Sequence, residues 1–259
     1  MKNLRGDVPK ECLDVCGIPM IGHALLEMAL SGLEEVAVVV SPDKPELASL
    51  LADMPPFPER ALVDRLYPGP HAEYARHAWP RLVITEQREP RGVVDALATA
   101  RGYISGEPFV LVMPDNLLVG AAPVTATLAR DFARSGEPTI AYMPIGREEA
   151  VTLGNCGRLD LAGDGMRVAA LHPKRPGVFD VPEGVTQINR AVGRTIVPPE
   201  LADPDDPIWD AQPGARELDD APRFAQLARE GRLRAVATGA ALYDLGQPGG
   251  VRAAREAFG

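Results

Sequence analysis

The sequence predicts an α/β domain built on a mixed, mostly parallel sheet with helices on both faces. Residues 109–113 form an unbroken apolar run between two prolines, which is typical of a central strand buried on both faces. They follow a helical pattern over residues 92–104, and that helix follows a strand-like run over residues 82–85. This order predicts a strand–helix–strand unit with parallel strands. After residue 150, short strand patterns separated by glycine-containing turns predict a smaller antiparallel part.

Length and charge limit the classes of function. At 259 residues the chain is long enough for one large domain, with residues 1–150 as one half and residues 151–259 as the other. The net charge of -9 argues against a nucleic acid or a membrane as partner, because phosphate-rich polymers need a basic face, whereas a small phosphorylated substrate stays compatible. The three cysteines fit neither a disulfide framework nor a zinc pattern, and neither a leader nor an apolar run of ~18 residues is present. We therefore expect a cytoplasmic protein.

The other elements are predicted from apolar spacing and from turn residues. The helix over 19–30 is expected to bury one face, and residues 54–80 are expected to be irregular apart from a short helix over 58–67. The further helices are predicted over 45–51, 123–135, 216–230 and 248–258, and the further strands over 36–40, 139–144, 156–161, 166–171, 190–197, 233–237 and 241–243.

Two acidic residues stand directly after apolar runs. Asp115 follows the strand over 109–113, and Asp244 follows the run over 241–243. Ligands of open α/β sheets bind outside the carboxyl ends of the strands, so both acids are candidates for one divalent cation site. We expect their carboxylates to lie within about 8 Å of each other, since a shared cation needs ligand distances of ~2.1 Å. Taken singly, each acid is better explained as a residue that makes a turn or caps a helix.

Five short motifs follow one another along the chain. They lie at residues 9–13 (PKECL, continued by IPMI at 18–21), 87–92 (QREPRG), 113–115 (MPD), 191–194 (AVGR) and 243–246 (YDLG). In this order they resemble the motifs of the bacterial UTP:glucose-1-phosphate uridylyltransferases, which belong to the sugar-phosphate nucleotidyltransferase superfamily. The resemblance implies a Rossmann-like sheet of the nucleotide-diphospho-sugar transferase type, whose small antiparallel part binds the sugar.

The resemblance also implies a reaction. A sugar 1-phosphate attacks the α-phosphorus of a nucleoside triphosphate, here UTP, and pyrophosphate leaves, so the protein mainly positions the reactants and neutralises charge. Asp115 and Asp244 would hold Mg²⁺, and Lys10 would be the catalytic cation that stabilises charge on the triphosphate. Without the resemblance, Lys10 is better explained as a solvated lysine beside Glu11.

Further residues are assigned to substrate binding by the same resemblance. Gln87, Gly92 and Pro114 would bind the nucleotide, and the side-chain amide of Gln87 can read the edge of a pyrimidine base. The sugar phosphate would be bound by Gly157, His172 and Lys174. Because members of this family are often homo-oligomers, the resemblance allows a homo-oligomer here.

The chain also departs from the family pattern. An opening apolar strand and a G-x-G-T-R loop are missing before the PKE motif, and at residues 170–173 (ALHP) a leucine and a histidine replace the usual Glu-Lys pair. Two interpretations stay open: an enzyme of this family that is impaired by the missing phosphate loop and acts on a sugar phosphate other than glucose 1-phosphate, or a non-catalytic nucleotidyltransferase-like binding or scaffolding module.

The missing strand has a consequence for the sheet. Without its central member the sheet would leave two rows of backbone groups unpaired, at ~1–3 kcal/mol for each buried group. We therefore expect that the sheet closes up, or that the chain is only marginally stable.

Overall fold

The protein is described here from a computed structural model, which covers residues 8–69, 78–104, 106–147, 149, 157–172, 184–211 and 217–259. Strands and helices alternate in the first half, and short strands predominate in the second. The strands are β1 Asp14–Val15, β2 Ile18–Pro19, β3 Glu35–Val40, β4 Arg81–Glu86, β5 Phe109–Val112, β6 Asn116–Val119, β7 Thr139–Gly146, β8 Arg158–Leu161, β9 Val168–Leu171, β10 Gln187–Val197, β11 Arg234–Ala237 and β12 Ala241–Asp244. The helices are α1 Met20–Leu30, α2 Pro45–Ala52, α3 Arg60–Leu66, α4 Val93–Ile104, α5 Val124–Ser135, α6 Ala221–Arg229 and α7 Pro248–Phe258, with short 3₁₀ turns at Lys10–Cys12, Pro199–Ala202 and Pro207–Ala211.

The largest sheet has the order β11-β7-β10-β8-β9, and β5 also pairs with β10. Strands β3 and β4 form a separate parallel pair, and β6 pairs antiparallel with β12. The predicted mixed α/β fold is confirmed. Fewer of its strand pairs are parallel than the sequence predicted. Among the described strands, β3–β4 and β7–β11 are the parallel pairs, whereas every ladder of β10 is antiparallel.

Strand β5 differs from its prediction in burial and in pairing. Its four residues are all half-buried rather than buried on both faces. It pairs antiparallel with the last part of β10, from Arg194↔Val112 to Val197↔Phe109, whereas β4, the other strand of the predicted strand–helix–strand unit, pairs with β3. The apolar run correctly indicates a strand, but the neighbour that would cover its second edge is not among the described residues.

A slot separates β3 from β5. It has a volume of about 850 Å³ and is lined by both strands and by side chains of α1 and α4. The expectation that the sheet closes up is therefore wrong: both layers of helices keep the two strands apart. The alternative expectation, marginal stability of the chain, stays a prediction.

Helix α1 is buried on all sides, not on one face as predicted. All of its residues from Met20 to Leu30 are buried. Met20 and Leu26 belong to a core cluster that contains β6 and α7, whereas Leu25 belongs to a second cluster with β3 and α2. The helix therefore lies between two cores, and each core takes one side of it.

Most of the other predicted elements are confirmed with shifts of a few residues at their ends. The helix predicted over 216–230 begins later, at Ala221, and buries Phe224, Leu227 and Ala228. Sequence patterns missed the β1–β2 hairpin and β6, which are too short to show a period. No helix in the described ranges combines the length and the apolar character needed to cross a bilayer.

Two glycines at opposite ends of α4 give a matched test of this packing. Gly92 has φ +99°, and a Cβ there would lie 2.4 Å from the carbonyl oxygen of Leu218, whereas a Cβ at Gly102 meets nothing within 4 Å. We expect Gly92→Ala to lower the free energy of unfolding by ~2 kcal/mol or more, because it adds both strain and overlap. Gly102→Ala should raise it by ~0.5–1 kcal/mol, because alanine favours a helix interior.

Urea unfolding of the two variants and the unchanged chain measures both effects. Two variants with the same sign of change would contradict this account of α4.

Candidate active site

The β6–β12 ladder brings the two candidate acids together. Asp244 at the end of β12 is the register partner of Asn116, the residue after Asp115. The backbone N–H of Leu245 donates to the carbonyl oxygen of Asp115 at 2.8 Å. The turn after β5 and the turn after β12 are therefore fixed to each other through backbone hydrogen bonds.

The two carboxylates face a common space above Gly246. A Cβ at this glycine would lie 3.0 Å from Asp115 Oδ2 and 3.0 Å from Asp244 Oδ1, so these two oxygens are no more than 6.0 Å apart. The predicted proximity is confirmed. A larger residue at position 246 would fill the space between the oxygens, which explains the glycine there.

This pair of oxygens suits a hard divalent cation. Mg²⁺ is usually held by one or two carboxylates, with substrate phosphates and water completing six ligands at ~2.0–2.1 Å. Within the described ranges no group of three or more His, Cys, Asp or Glu side chains is arranged around one point. A cation here would therefore take its remaining ligands from a bound phosphate and from water.

Each carboxylate is also paired with a basic side chain. Lys10, in the 3₁₀ turn, places Nζ 3.1 Å from Asp115 Oδ2. Arg190 of β10 places Nη2 3.4 Å from Asp244 Oδ2. Asn116 adds a hydrogen bond from Nδ2 to Asp115 Oδ1 at 3.0 Å. Two acids thus lie between two cations, which is an arrangement that can hold both a metal and a phosphate.

Arg190 was not among the residues that the sequence singled out. It is 6 % exposed, and its buried Nε has no hydrogen-bond partner among the described residues. A buried guanidinium with a free donor needs an acceptor, because an unsatisfied buried group costs free energy. The signal in the sequence was an arginine at the start of the predicted strand over 190–197, directly before the AVGR motif.

His172, one of the residues assigned to the sugar phosphate, belongs to a cluster of charged side chains beside Arg190. Arg190 is the register partner of Arg158 in the β10–β8 ladder, so the two side chains point to one face. Arg158 donates to both oxygens of Asp160 at 3.1 and 3.2 Å, and His172 Nε2 lies 2.7 Å from Asp160 Oδ2. A cluster of two bases and one acid thus adjoins Arg190.

The ionisation of Asp160 follows from this cluster. Burial alone would raise the pKa of the Asp160 carboxyl, but the hydrogen bonds and charges of His172 and Arg158 outweigh burial and hold this pKa below its usual value. Asp160 is therefore a fixed anion that orients both bases.

Gly157 and Lys174 are the other two residues assigned to the sugar phosphate, and the structure describes one of them. The carbonyl oxygen of Gly157 accepts a hydrogen bond from the Ala191 N–H at 2.7 Å, so this glycine has a structural task at the start of β8. Lys174 lies outside the described residues.

The predicted base loop is held by Gln87. Its Nε2 donates to the carbonyl oxygen of Gly92 at 3.1 Å and to Asp95 Oδ2 at 2.7 Å. Gly92 is needed for packing, since its backbone contacts Leu218. Pro114 is half-buried at the end of the slot, next to Asp115. These contacts give Gln87 and Gly92 structural tasks, and nucleotide binding by the three residues stays a prediction.

A buried ion pair supports the turn that carries Asp115. Arg194 donates to Glu27 Oε2 from Nε and Nη2 at 3.1 and 2.9 Å. It also donates to the carbonyl oxygens of Met113 and Asn116 at 2.9 and 2.8 Å. The guanidinium therefore holds the backbone on both sides of Asp115.

The fold and the two acidic residues Asp115 and Asp244 together define an α/β protein with a pair of carboxylates at the carboxyl ends of its strands. The family of sequences described as Nucleotidyl transferase matches residues 2–169, which is more than half of the chain. The chain belongs to this nucleotidyl transferase family, as its motifs predict.

Individual relatives agree with this assignment. The UTP--glucose-1-phosphate uridylyltransferase of Streptococcus pneumoniae serotype 4 is 27 % identical over 206 residues, which cover 74 % of this chain and 64 % of the relative. A protein of the same name from Streptococcus pyogenes is 25 % identical over 212 residues, covering 75 % and 64 %. The chain thus spans just under two thirds of the length of these curated relatives.

The fold is shared with solved structures. A UTP-bound UGPase from Acinetobacter baumannii matches with a TM-score of 0.72 at 16 % identity, covering 98 % of this chain and 86 % of that protein. A UDP-glucose pyrophosphorylase complexed with UDP-glucose matches with a TM-score of 0.71 at 20 % identity, covering 97 % and 90 %. At these identities the likeness shows the fold, and it agrees with the predicted nucleotidyltransferase fold.

The buried ion pair gives a test of how the site is supported. Arg194→Met should lower the free energy of unfolding by ~3–5 kcal/mol, because it leaves the Glu27 carboxylate buried without a counter-charge. Glu27→Gln should also destabilise the chain. The double variant should be less unstable than the sum of the two, by a coupling of ~2 kcal/mol or more, because it contains no isolated buried charge.

Urea unfolding of the four chains closes this double-mutant cycle. Additive effects of the two substitutions would mean that Arg194 acts on the backbone carbonyls alone.

Proposed function

We propose that the chain transfers a uridylyl group from UTP to glucose 1-phosphate with release of pyrophosphate. The observation that carries the proposal is the close pair Asp115 and Asp244 with Lys10 and Arg190 on either side. Membership of the nucleotidyl transferase family and the names of the relatives support this substrate pair. The non-catalytic interpretation is not favoured, because the residues expected to act are brought to one place.

The reaction needs charge neutralisation at one phosphorus atom. An oxygen of the sugar phosphate forms a bond to the α-phosphorus, and the bond from that phosphorus to the bridging oxygen breaks, so that its electron pair leaves with pyrophosphate. Asp115 and Asp244 would hold Mg²⁺, which supplies positive charge at the α-phosphate. Lys10, which contacts Asp115, would neutralise charge on the triphosphate, and the Nε–H of Arg190 would donate to a phosphate oxygen.

Gln87 favours a nucleotide base with a donor at its edge. Both hydrogens of Nε2 are used, by Gly92 and Asp95, so Oε1 is left as an acceptor. Uracil and thymine present an N–H at ring position 3, where cytosine presents an acceptor. The loop is therefore expected to prefer UTP or its thymine counterpart to CTP.

In this proposal the sugar phosphate binds to the face of the sheet that carries Arg158 and His172. Asp160 holds both bases in position, and His172 takes the place of the usual lysine. Glucose as the sugar is proposed from the names of the relatives. We propose the cytoplasm as the site of the reaction, because UTP is found there.

An assay of pyrophosphate release with Mg²⁺, glucose 1-phosphate and either UTP or CTP tests the proposal. We expect faster turnover with UTP than with CTP, because Gln87 Oε1 can accept a hydrogen bond from the N–H at ring position 3 of uracil. Asp244→Asn should lower the rate with UTP by ~10² or more, since it removes a ligand of the cation. Asp53→Asn, a change of an exposed acid after α2, is the matched control.

Equal loss of activity in the Asp53 and Asp244 variants would contradict the assignment of the site. A chain that releases no pyrophosphate above the uncatalysed rate, while it still binds UTP, would establish the non-catalytic interpretation instead.

A separate prediction concerns Arg190. Arg190→Leu should bind Mn²⁺, a paramagnetic substitute for Mg²⁺, ~10-fold more tightly, because the guanidinium competes with the cation for Asp244. The same variant should turn over UTP ~10²-fold more slowly, because a donor to the phosphate is lost. Electron paramagnetic resonance of free Mn²⁺ measures the first effect, and pyrophosphate release measures the second. Weaker Mn²⁺ binding together with slower turnover would indicate that Arg190 only supports the fold.

A further inference from the structure

Two neighbouring oxygens hold the side-chain amide of Gln87 in one orientation. Its Nε2 donates to Asp95 Oδ2 at 2.7 Å and to the carbonyl oxygen of Gly92 at 3.1 Å. The backbone of Gln87 is fixed as well, because its N–H donates to the carbonyl oxygen of Val40 at 2.8 Å. A carboxylate and a carbonyl only accept hydrogen bonds, so the NH₂ group and not the oxygen of the amide has to face them.

The oxygen of the same amide is left for a ligand. Among the described residues, none donates a hydrogen bond to Gln87 Oε1, and this atom is in contact with solvent although the residue as a whole is 9 % exposed. An acceptor in such a place is costly to cover with a group that cannot donate to it. A ligand that reaches Gln87 is therefore favoured if it brings an N–H to this point.

Asp95 is itself fixed in place by helix α4 and by Arg91. It lies in the first turn of α4, where the helix dipole favours a negative charge. Arg91 donates to Asp95 Oδ1 from Nε and Nη2 at 3.1 and 2.7 Å. Because Arg91 binds Oδ1, the other carboxylate oxygen, Oδ2, is directed to Gln87.

Of the two acceptors, Asp95 has the larger effect on the amide. Its hydrogen bond to Gln87 is the shorter one and has a charged acceptor, and hydrogen bonds of that kind are roughly twice as strong as neutral ones. The carbonyl oxygen of Gly92 is shared, because it also accepts from the backbone N–H of Ala96 at 3.2 Å. The orientation of Gln87 therefore depends mainly on the carboxylate of Asp95.

We propose that Asp95 is a positioning residue that sets the base specificity of the chain. By binding Nε2 of Gln87 it keeps Oε1 turned towards the base, so that uracil, with an N–H at ring position 3, binds more tightly than cytosine, which has an acceptor there. This inference rests on the proposed function, because that function brings the base to Gln87. A purely structural role of the Arg91–Asp95 ion pair in α4 would instead affect the binding of both nucleotides alike.

Calorimetric titration of the full chain with UTP and with CTP, both in the presence of Mg²⁺, measures the two dissociation constants and their ratio. We expect the unchanged chain to bind UTP ~10-fold or more tightly than CTP, because a mismatched acceptor pair is costly. Asp95→Asn has the same shape but carries an NH₂ group that can face Gln87 Oε1, so it allows both orientations of the amide. In this variant the preference for UTP should fall to about threefold or less.

Two further variants separate the positioning of Gln87 from the stability of α4. Arg91→Met removes the same ion pair, but it leaves the carboxylate of Asp95 beside Gln87, so the preference for UTP should stay within about twofold of the original value. Asp95→Glu keeps an acceptor-only carboxylate and should retain most of the preference. If Asp95→Asn does not fold, Asp95→Ser takes its place, because a hydroxyl can both donate and accept.

Three results would overturn the role of Asp95. They are an unchanged ratio in Asp95→Asn, an equal fall of the ratio in Arg91→Met and Asp95→Asn, and an unchanged chain without a preference for UTP, whose Gln87 would then accept from the amino group of cytosine. Pyrophosphate release is a separate measurement. Release without the expected change of the ratio contradicts the role of Asp95 alone, whereas the expected change without release contradicts the proposed function alone. A chain that binds neither nucleotide contradicts both.

Discussion

The buried pair of Arg194 and Glu27 is the interaction on which the rest of the structure depends. Both side chains are almost fully excluded from solvent, at 1 % and 0 % exposed. Such charges persist in an interior only where every donor and acceptor has a partner. Here Glu27 Oε1 accepts from the N–H and the hydroxyl of Thr125, and the guanidinium binds Glu27 and the carbonyl oxygens around β5. One ion pair thus connects α1, the turn after β5, β10 and the start of α5.

This connection explains why the candidate site is well defined. The turn between β5 and β6 is held by hydrogen bonds from the Arg194 side chain and from the backbone just after β12. Gly193, at φ +65°, allows Met113 to approach β10, where a Cβ would lie 2.8 Å away. Near the pair, burial and then the negative charge of Glu27 raise the pKa of Tyr67, so this side chain adds no charge. The backbone position of Asp115 is therefore set by buried contacts and not by the half-buried salt bridge of its side chain to Lys10.

Local sequence patterns predicted where most strands and helices lie, but they did not predict which strands pair. The apolar run of β5 indicated a strand, but its antiparallel partner is 82 residues further along, at Arg194↔Val112, and no periodicity encodes such a pairing. Helix α1 was assigned one buried face, because its small residues and its buried Glu27 look like a polar face until the second core is known. Asp115 and Asp244 were found through motif resemblance, while Arg190 was missed because its side-chain contact with Asp244 joins β10 to β12, and only the folded chain brings these two strands together.

Every residue of helix α1 is buried, and this limits the substitutions that the helix can accept during evolution. Elsewhere, a substitution on a solvent-facing position is nearly neutral, so most helices accumulate differences on their outer side. On α1 every residue is buried, and even at Gly22 a Cβ would lie 2.7 Å from the side chain of Ile18. We expect this helix to be the slowest-changing helix of the chain among its relatives, although it contributes no side chain to the candidate site.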